Sequence, residues 1–331
     1  MGFSLPDMWV WDAWYYTHGD LTHMFFLKAP KSVGDPDQRH FYASVGHATS
    51  TDFVTWDYHG TAIAPSEGPA WDDMTIWTGC VVENPQGGFV LFYTGTSRAD
   101  RAHVQRIGAA TSDDLFNWTR VGTEPALEAD PNFYGKLGDE GVADEACRDP
   151  WVFQVEGDAR WHMLFTAYGK HDVLKENGVI GYAISDDLFT WTQQPAMFDM
   201  KIGQELEVPE TFEVNGTWYL AFSRWSWGAP KSHEDAIGHK IASGTYYLRS
   251  EEGPLGPWTL TDTKGLLTDS DEKIYVARKV TLPDGRDALI AFNNSDGNGS
   301  FPGTLTDPIA FDQDEDGRLI LAAPNSNMKS A

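Results

Sequence analysis

The 331-residue sequence predicts an all-β protein, a five-bladed β-propeller, on three observations. A decapeptide recurs along the chain. An apolar, aromatic strand alternates with it five times. No segment carries a long 3.6-residue apolar period, so helices should be few.

The decapeptide reads His-Ala-Thr-Ser-Thr-Asp-Phe-Val-Thr-Trp at 47–56, Ala-Ala-Thr-Ser-Asp-Asp-Leu-Phe-Asn-Trp at 109–118 and Tyr-Ala-Ile-Ser-Asp-Asp-Leu-Phe-Thr-Trp at 182–191. A degenerate fourth copy spans 247–258. The closing residues Trp56, Trp118, Trp191 and Trp258 lie 62, 73 and 67 residues apart. In each copy a short strand is expected to end at Ser, and the Ser-Asp pair to turn the chain by bonding its own backbone. A Leu or Phe then plugs the core and Trp starts the next strand. The alternating strands are His23–Leu27, Gly88–Tyr93, Trp161–Thr166, Trp218–Phe222 and Ala288–Phe292. Turn residues introduce three of them: Gly19-Asp20, Gln86-Gly87-Gly88 and Asn215-Gly216. A unit of this length holds four strands and long connections, and five such sheets set radially make the propeller. A large β-sandwich is the rival, but a sandwich does not require repetition. A last strand at Gly317–Ala322 precedes a polar tail at about 324–331. No linker is evident, so 1–331 reads as a single domain.

Composition narrows the partners. The net charge of −25 argues against nucleic acid and anionic membranes, both of which need a basic patch. No stretch approaches a membrane span, and the N-terminus lacks the basic and apolar regions of a signal peptide. The expectation is a cytoplasmic protein, with a secreted protein that has lost its signal as the other option. Nothing in the sequence bears on oligomeric state. Most of the 14 tryptophans should be core, the rest being suited to stacking on sugar rings. Cys80 and Cys147 read as free, buried thiols. No cofactor and no metal is called for. The acids Asp139-Glu140 and Asp144-Glu145 read as a solvated loop, and the ten histidines show no ligand spacing.

Three acid-bearing stretches carry chemistry. Asp12 sits in the aromatic run Met8–Tyr16, where a carboxylate is costly to desolvate without a partner. Asp149 lies in Arg148-Asp149-Pro150, and Glu207 in Glu205-Leu206-Glu207. Each falls near the start of the innermost strand of a different blade, so the three should converge at one end of the axis. Each has a plainer reading. Arg-Asp-Pro serves equally as a turn with an ion pair, and Glu205 and Glu207, two apart on a strand, as a solvated face. In a poorly solvated setting, however, the glutamate pair would raise a pKa, as a proton donor needs.

Several of these stretches resemble the furanosidase clan of five-bladed propeller glycoside hydrolases, families 32 and 68 and more distantly 43. Val10-Trp11-Asp12-Ala13-Trp14 resembles the family 68 nucleophile motif. His23–Pro30 with Gly46–Trp56 resembles the first blade of family 32. Ile76-Trp77-Thr78-Gly79-Cys80 is similar to the clan's Trp/Phe-Ser-Gly segment, which contacts the fructosyl unit, with Thr for Ser. Arg148-Asp149-Pro150 matches the clan's Arg-Asp-Pro, and Glu205-Leu206-Glu207 followed by Phe212–Tyr219 matches family 68.

The resemblance implies that Asp12 is a nucleophile, Glu207 the acid/base and Asp149 a stabiliser of the transition state. It also implies that Arg148, Glu205, Trp11, Trp77 and Thr78 bind a small carbohydrate substrate, and that Arg224 helps on the acceptor side. Two features depart from family 32: its Asn-Asp-Pro motif is absent, and so is its C-terminal β-sandwich. Family 68 members are usually longer, and Ser223-Arg224-Trp225 differs from their context. Donor chemistry therefore carries over further than acceptor choice. The expected activity is a retaining β-fructofuranosidase or fructosyltransferase on sucrose or short fructo-oligosaccharides. The alternatives are an inverting, family 43-type α-arabinofuranosidase or β-xylosidase, and a non-catalytic sugar-binding propeller.

Overall fold

A computed structural model describes residues 2–260, 267, 272–297 and 299–321; the polar tail lies outside them. Five antiparallel sheets are arranged as a five-bladed β-propeller, as the repeats predict. The first blade holds β1 (Met8–His18), β2 (Leu21–Pro30), β3 (Ser44–Ser50) and β4 (Asp57–Ile63). The second holds β5 (Thr75–Glu83), β6 (Phe89–Thr96), β7 (Gln105–Ser112) and β8 (Thr119–Arg120). The third holds β9 (Cys147–Gln154), β10 (Trp161–Tyr168), β11 (Gly178–Ser185) and β12 (Thr192–Phe198). The fourth holds β13 (Glu207–Val214), β14 (Thr217–Arg224) and β15 (Gly244–Ser250). The fifth holds β16 (Ile274–Thr281), β17 (Asp287–Asn293), β18 (Ile309–Gln313) and β19 (Leu319–Leu321). Within each sheet the strands pair in chain order. The first strands contact one another in a closed ring, β1 to β5, β9, β13, β16 and back to β1.

The five apolar strands read from the sequence are the second strands of the blades. Neighbouring blades cover both of their faces, so Phe25, Leu91, Phe165, Leu220 and Leu289 are fully buried. A strand covered on both sides needs no polar alternation, which is why these segments read as continuous apolar runs. Cys80 and Cys147 are free and buried, as read. One seven-residue α-helix, Lys231–Ile237, lies between β14 and β15. Among the described residues no helix is long and apolar enough to cross a membrane.

The decapeptide is the connection from third to fourth strand. Ser50, Ser112 and Ser185 each end a strand. The Ser112 hydroxyl accepts from the backbone N–H of Leu115 at 2.9 Å, and Asp114 Oδ1 accepts from those of Phe116 and Asn117, both at 2.8 Å. Ser50 and Asp52 repeat the pattern. The plugs Phe53, Leu115 and Leu188 are buried at φ of 60°, 66° and 72°. Ser112→Ala would strand the buried Leu115 N–H. A loss of about 1–2 kcal/mol in urea unfolding is expected, with kcat unchanged.

In the fourth blade three strands fall within the described residues. Where a fourth would begin, Arg249 and Thr259 exchange backbone hydrogen bonds of 3.1 and 3.0 Å, and residues 261–266, where it would continue, lie outside the described ones.

All five innermost strands break register near their starts. Asp12 and Thr78 are single extra residues, while Asp149-Pro150, Val208-Pro209 and Val276-Ala277 each stand opposite one partner residue. Asp12, Asp149, Val208 and Val276 adopt φ of 32°, 57°, 53° and 49°. For non-glycine residues, and β-branched valine above all, this backbone is strained, at a cost of about 1–3 kcal/mol each. A bulge re-aims a side chain that regular pleating would send elsewhere. Here five bulges form one ring at one end of the channel.

Candidate active site

The five bulged positions Asp12, Thr78, Asp149, Val208 and Val276 line one cavity of about 410 Å³. Trp11, Trp77, Arg148, Glu205 and Glu207 line it too. The structure therefore brings together every candidate residue read from the sequence except Arg224. That side chain is 3% exposed and absent from the cavity wall. It donates to the Ile202 carbonyl at 2.7 Å and lies 3.9 Å over the Tyr246 ring. Its sequence position, last in β14, left its direction open, and packing turned it inward.

Arg148 organises the acids. Its Nη2 stands 3.0 Å from Glu207 Oε1 and 3.3 Å from Glu205 Oε1, and its Nε 3.4 Å from Asp149 Oδ2. Gln105 Oε1 takes its Nη1 at 3.0 Å. Burial pulls its pKa down, but the charges of Glu205, Glu207 and Asp149 outweigh burial and hold this guanidinium well above its ordinary pKa, so it stays charged. The ion-pair reading of Arg-Asp-Pro holds in part and the solvated-face reading of the glutamate pair does not. Arg148 and Asp149 do pair, but inside the protein, and Glu205 and Glu207 face a cavity wall.

Each carboxylate has its own setting. Asp149 Oδ2 accepts from Thr166 Oγ1 at 2.8 Å and from the Val208 N–H at 3.2 Å, which ties blade three to blade four. Asp12 Oδ2 accepts from Thr78 Oγ1 at 2.9 Å. Burial, and then the Asp149 charge, push its pKa up to about 7, with the Thr78 hydrogen bond pulling the other way. Glu207 Oε2 accepts from the Tyr275 hydroxyl at 2.7 Å. Burial, then repulsion by Glu205, push its pKa up to about 8 against the pull of Arg148. Glu205 Oε1 accepts from the Tyr168 hydroxyl at 2.9 Å.

Several wall residues escaped the sequence reading. Tyr275 holds Glu207 from the fifth blade and stacks on Trp225 with centroids 4.2 Å apart. Its place at the start of the fifth innermost strand was the available signal. Arg39 and His40 come from the short 3₁₀ segment Pro36–Tyr42, which has no counterpart in the repeat and offered none. Arg39 lies over the rings of Trp11 and Phe301, at 5.4 and 4.0 Å. His40 is pushed down to about 3 by burial and by Arg39 and Arg148, so it is a neutral ring. Its carbonyl accepts from Trp77 Nε1 at 2.8 Å.

The acid-rich loop divides. Asp139 and Glu140 are exposed as expected, but Glu145 is buried against Lys136, and Asp144 joins the cavity wall, 2.6 Å from His103 Nδ1. Among the described residues no group of three or more His, Cys, Asp or Glu has metal-holding geometry.

Fold and cavity together define a class: a five-bladed propeller whose axial mouth gathers carboxylates from separate blades around one arginine. The chain belongs to glycosyl hydrolases family 32, whose N-terminal domain it matches over residues 12–302. That is one of the two families the motifs chiefly resemble. It is 29% identical over 255 residues to a "Probable sucrose-6-phosphate hydrolase" of Vibrio cholerae, covering 73% of this chain and 40% of that protein. It is 30% identical over 178 residues to an insoluble β-fructofuranosidase isoenzyme of Arabidopsis thaliana, covering 52% of this chain and 28% of that one. The chain thus spans less than half the length of these curated relatives. Among solved structures it resembles the inulosucrase from Halalkalicoccus jeotgali bound to kestose, at TM-score 0.77 and 21% identity, covering 96% of this chain and 87% of that one. It also resembles the levansucrase of Bacillus subtilis, at TM-score 0.75 and 16% identity, with the same coverages. At such identities the likeness is one of fold.

Proposed function

We propose that the protein is a retaining β-fructofuranosidase or fructosyltransferase acting on sucrose or short fructo-oligosaccharides. The observation that carries this is the pairing within one cavity of Asp12 with a glutamate, Glu207, kept protonated near neutral pH. Family membership and the sucrose-related names of its relatives support it.

Asp12 attacks the anomeric carbon as the bond to the leaving oxygen breaks, and Glu207 gives that oxygen its proton. Glu207, now a carboxylate, takes a proton from water or an acceptor hydroxyl. That oxygen attacks the same carbon and frees Asp12, so two displacements retain configuration. Asp149, held by Thr166 and the Val208 N–H, accepts from sugar hydroxyls as positive charge develops on the ring. Arg148 orients Asp149, Glu205 and Glu207. Trp11 and Trp77 wall the pocket.

One observation favours the inverting alternative: an aspartate raised to about 7 also suits a general base acting on water. The anomer released from sucrose, followed by NMR, separates the two. Retention is expected, and inversion would make Asp12 the base. Absence of turnover across sucrose, short fructans and aryl furanosides would leave the sugar-binding propeller.

A further prediction concerns pH. Glu205 raises the Glu207 pKa by repulsion, so Glu205→Gln should lower it. The alkaline limb of the kcat/KM profile is expected near pH 8 in the parent and at lower pH in the variant. An unmoved limb would detach that limb from Glu207.

A further inference from the structure

All 14 tryptophans of the chain fall in described residues, and thirteen are buried or half-buried. Trp227 alone is exposed, at 54%. It lines the catalytic cavity and also a second cavity of about 450 Å³, lined further by Lys175, Ser226, Lys231, Glu234 and Lys240.

The ring stands on a pinned support. It belongs to the three-residue turn Ser226–Gly228 after β14. The Trp227 carbonyl accepts from Lys175 Nζ at 2.5 Å, a bond from the β10–β11 connection of the third blade. The Gly228 carbonyl accepts from the Gln204 N–H at 3.0 Å, and the Ser226 N–H donates to Ser243 Oγ at 2.9 Å. A large apolar ring fixed in solvent forgoes burial, and its fixed backbone lowers the ordering cost of binding. Two residues earlier, Trp225 stacks on Tyr275, the phenol that holds Glu207. Trp227 therefore stands on the side of the proton donor, where the leaving group departs and the acceptor arrives.

The charges of the second cavity indicate its ligand. Lys240 Nζ pairs with Glu234 Oε2 at 2.5 Å and Lys231 Nζ with Asp235 Oδ2 at 2.6 Å, while Lys175 is engaged by the Trp227 carbonyl. Ammonium groups already matched in this way suit a neutral ligand rich in hydroxyls better than a phosphate. A sugar ring offers an apolar C–H face to an indole and hydroxyls to such a rim.

We propose that the second cavity receives further sugar units of a neutral oligosaccharide on the leaving-group side, with Trp227 as the stacking platform between the cavities. This rests on the reading of the catalytic cavity as a glycosidase site and adds to it the place and the platform residue that hold the outer units of an oligosaccharide.

The test measures kcat/KM on sucrose and on a fructo-oligosaccharide of four units for the parent, Trp227→Ala and Trp227→Tyr, with direct binding of the tetrasaccharide by calorimetry. In Trp227→Ala the ratio of tetrasaccharide to sucrose kcat/KM is expected to fall about tenfold, the order of one lost ring contact, and Trp227→Tyr to restore most of it. Tetrasaccharide binding should weaken in parallel. An unchanged ratio, or failure of tyrosine to restore it, would overturn the proposal. Should the parent turn over no sugar, the catalytic reading fails, and the calorimetric arm alone decides the platform. Sucrose 6-phosphate is the control for an anion site. If Lys231→Ala or Lys240→Ala selectively weakened its use, the neutral-ligand assignment would be overturned.

Discussion

Asp12→Asn is expected to lower kcat on sucrose by about ten-thousandfold or more while the propeller stays folded. An amide oxygen can still accept the Thr78 hydroxyl, so the bulge at φ 32° keeps its anchor. What is lost is the electron pair that attacks the anomeric carbon. The same substitution should raise stability at neutral and alkaline pH. Asp12 ordinarily ionises at 3.8, and in the folded cavity it is pushed up to about 7. The folded state therefore holds this proton more tightly than the unfolded chain. The resulting stabilisation is fully present below pH 3.8 and is lost as the pH rises through about 7. Asparagine never ionises. Asp12→Asn should melt level with the parent near pH 4 and several degrees above it at pH 8. Near-parent turnover would remove Asp12 from the reaction. A melting difference independent of pH would deny its desolvation.

Glu207→Gln is expected to lower kcat on sucrose by roughly 100- to 10,000-fold, the range of general-acid catalysis. Its signature is dependence on the leaving group. An aryl fructoside departs without help, so formation of the intermediate should be slowed far less than with sucrose. The alkaline limb near pH 8 should vanish, because the group that titrates there is gone. Equal losses on both substrates would assign Glu207 to binding instead of proton transfer. The two variants thus fail differently, one at the nucleophile and one at the leaving group, and only the second is rescued by substrate chemistry.

Much of this site could be read from residues alone because propeller geometry converts linear order into angular position. A residue near the start of an innermost strand must lie near the channel mouth, so Asp12, Asp149 and Glu207 could be placed together before any coordinates. Thr78, Trp77 and Trp11 were expected from the resemblance to the clan's motifs and not from strand position. Arg224, expected from the same resemblance, ends a second strand, where a side chain is free to point into the protein, as this one does. Arg39 and His40 were beyond such reasoning because an irregular connection has no period to align. Tyr275 lay within reach, since Ile274-Tyr275-Val276 opens the fifth innermost strand as Glu207-Val208-Pro209 opens the fourth.

By itself the sequence determined the number of blades, the buried second strands, the Ser-Asp turns and the acids that would meet. These depend on periodicity and on bonds between residues close along the chain. Only the tertiary structure decided the ring of bulges, the grip of Arg148 on three carboxylates and the raised proton affinities of Asp12 and Glu207. Side-chain direction and desolvation are set by atoms from other blades, dozens of residues away, and no local pattern encodes them.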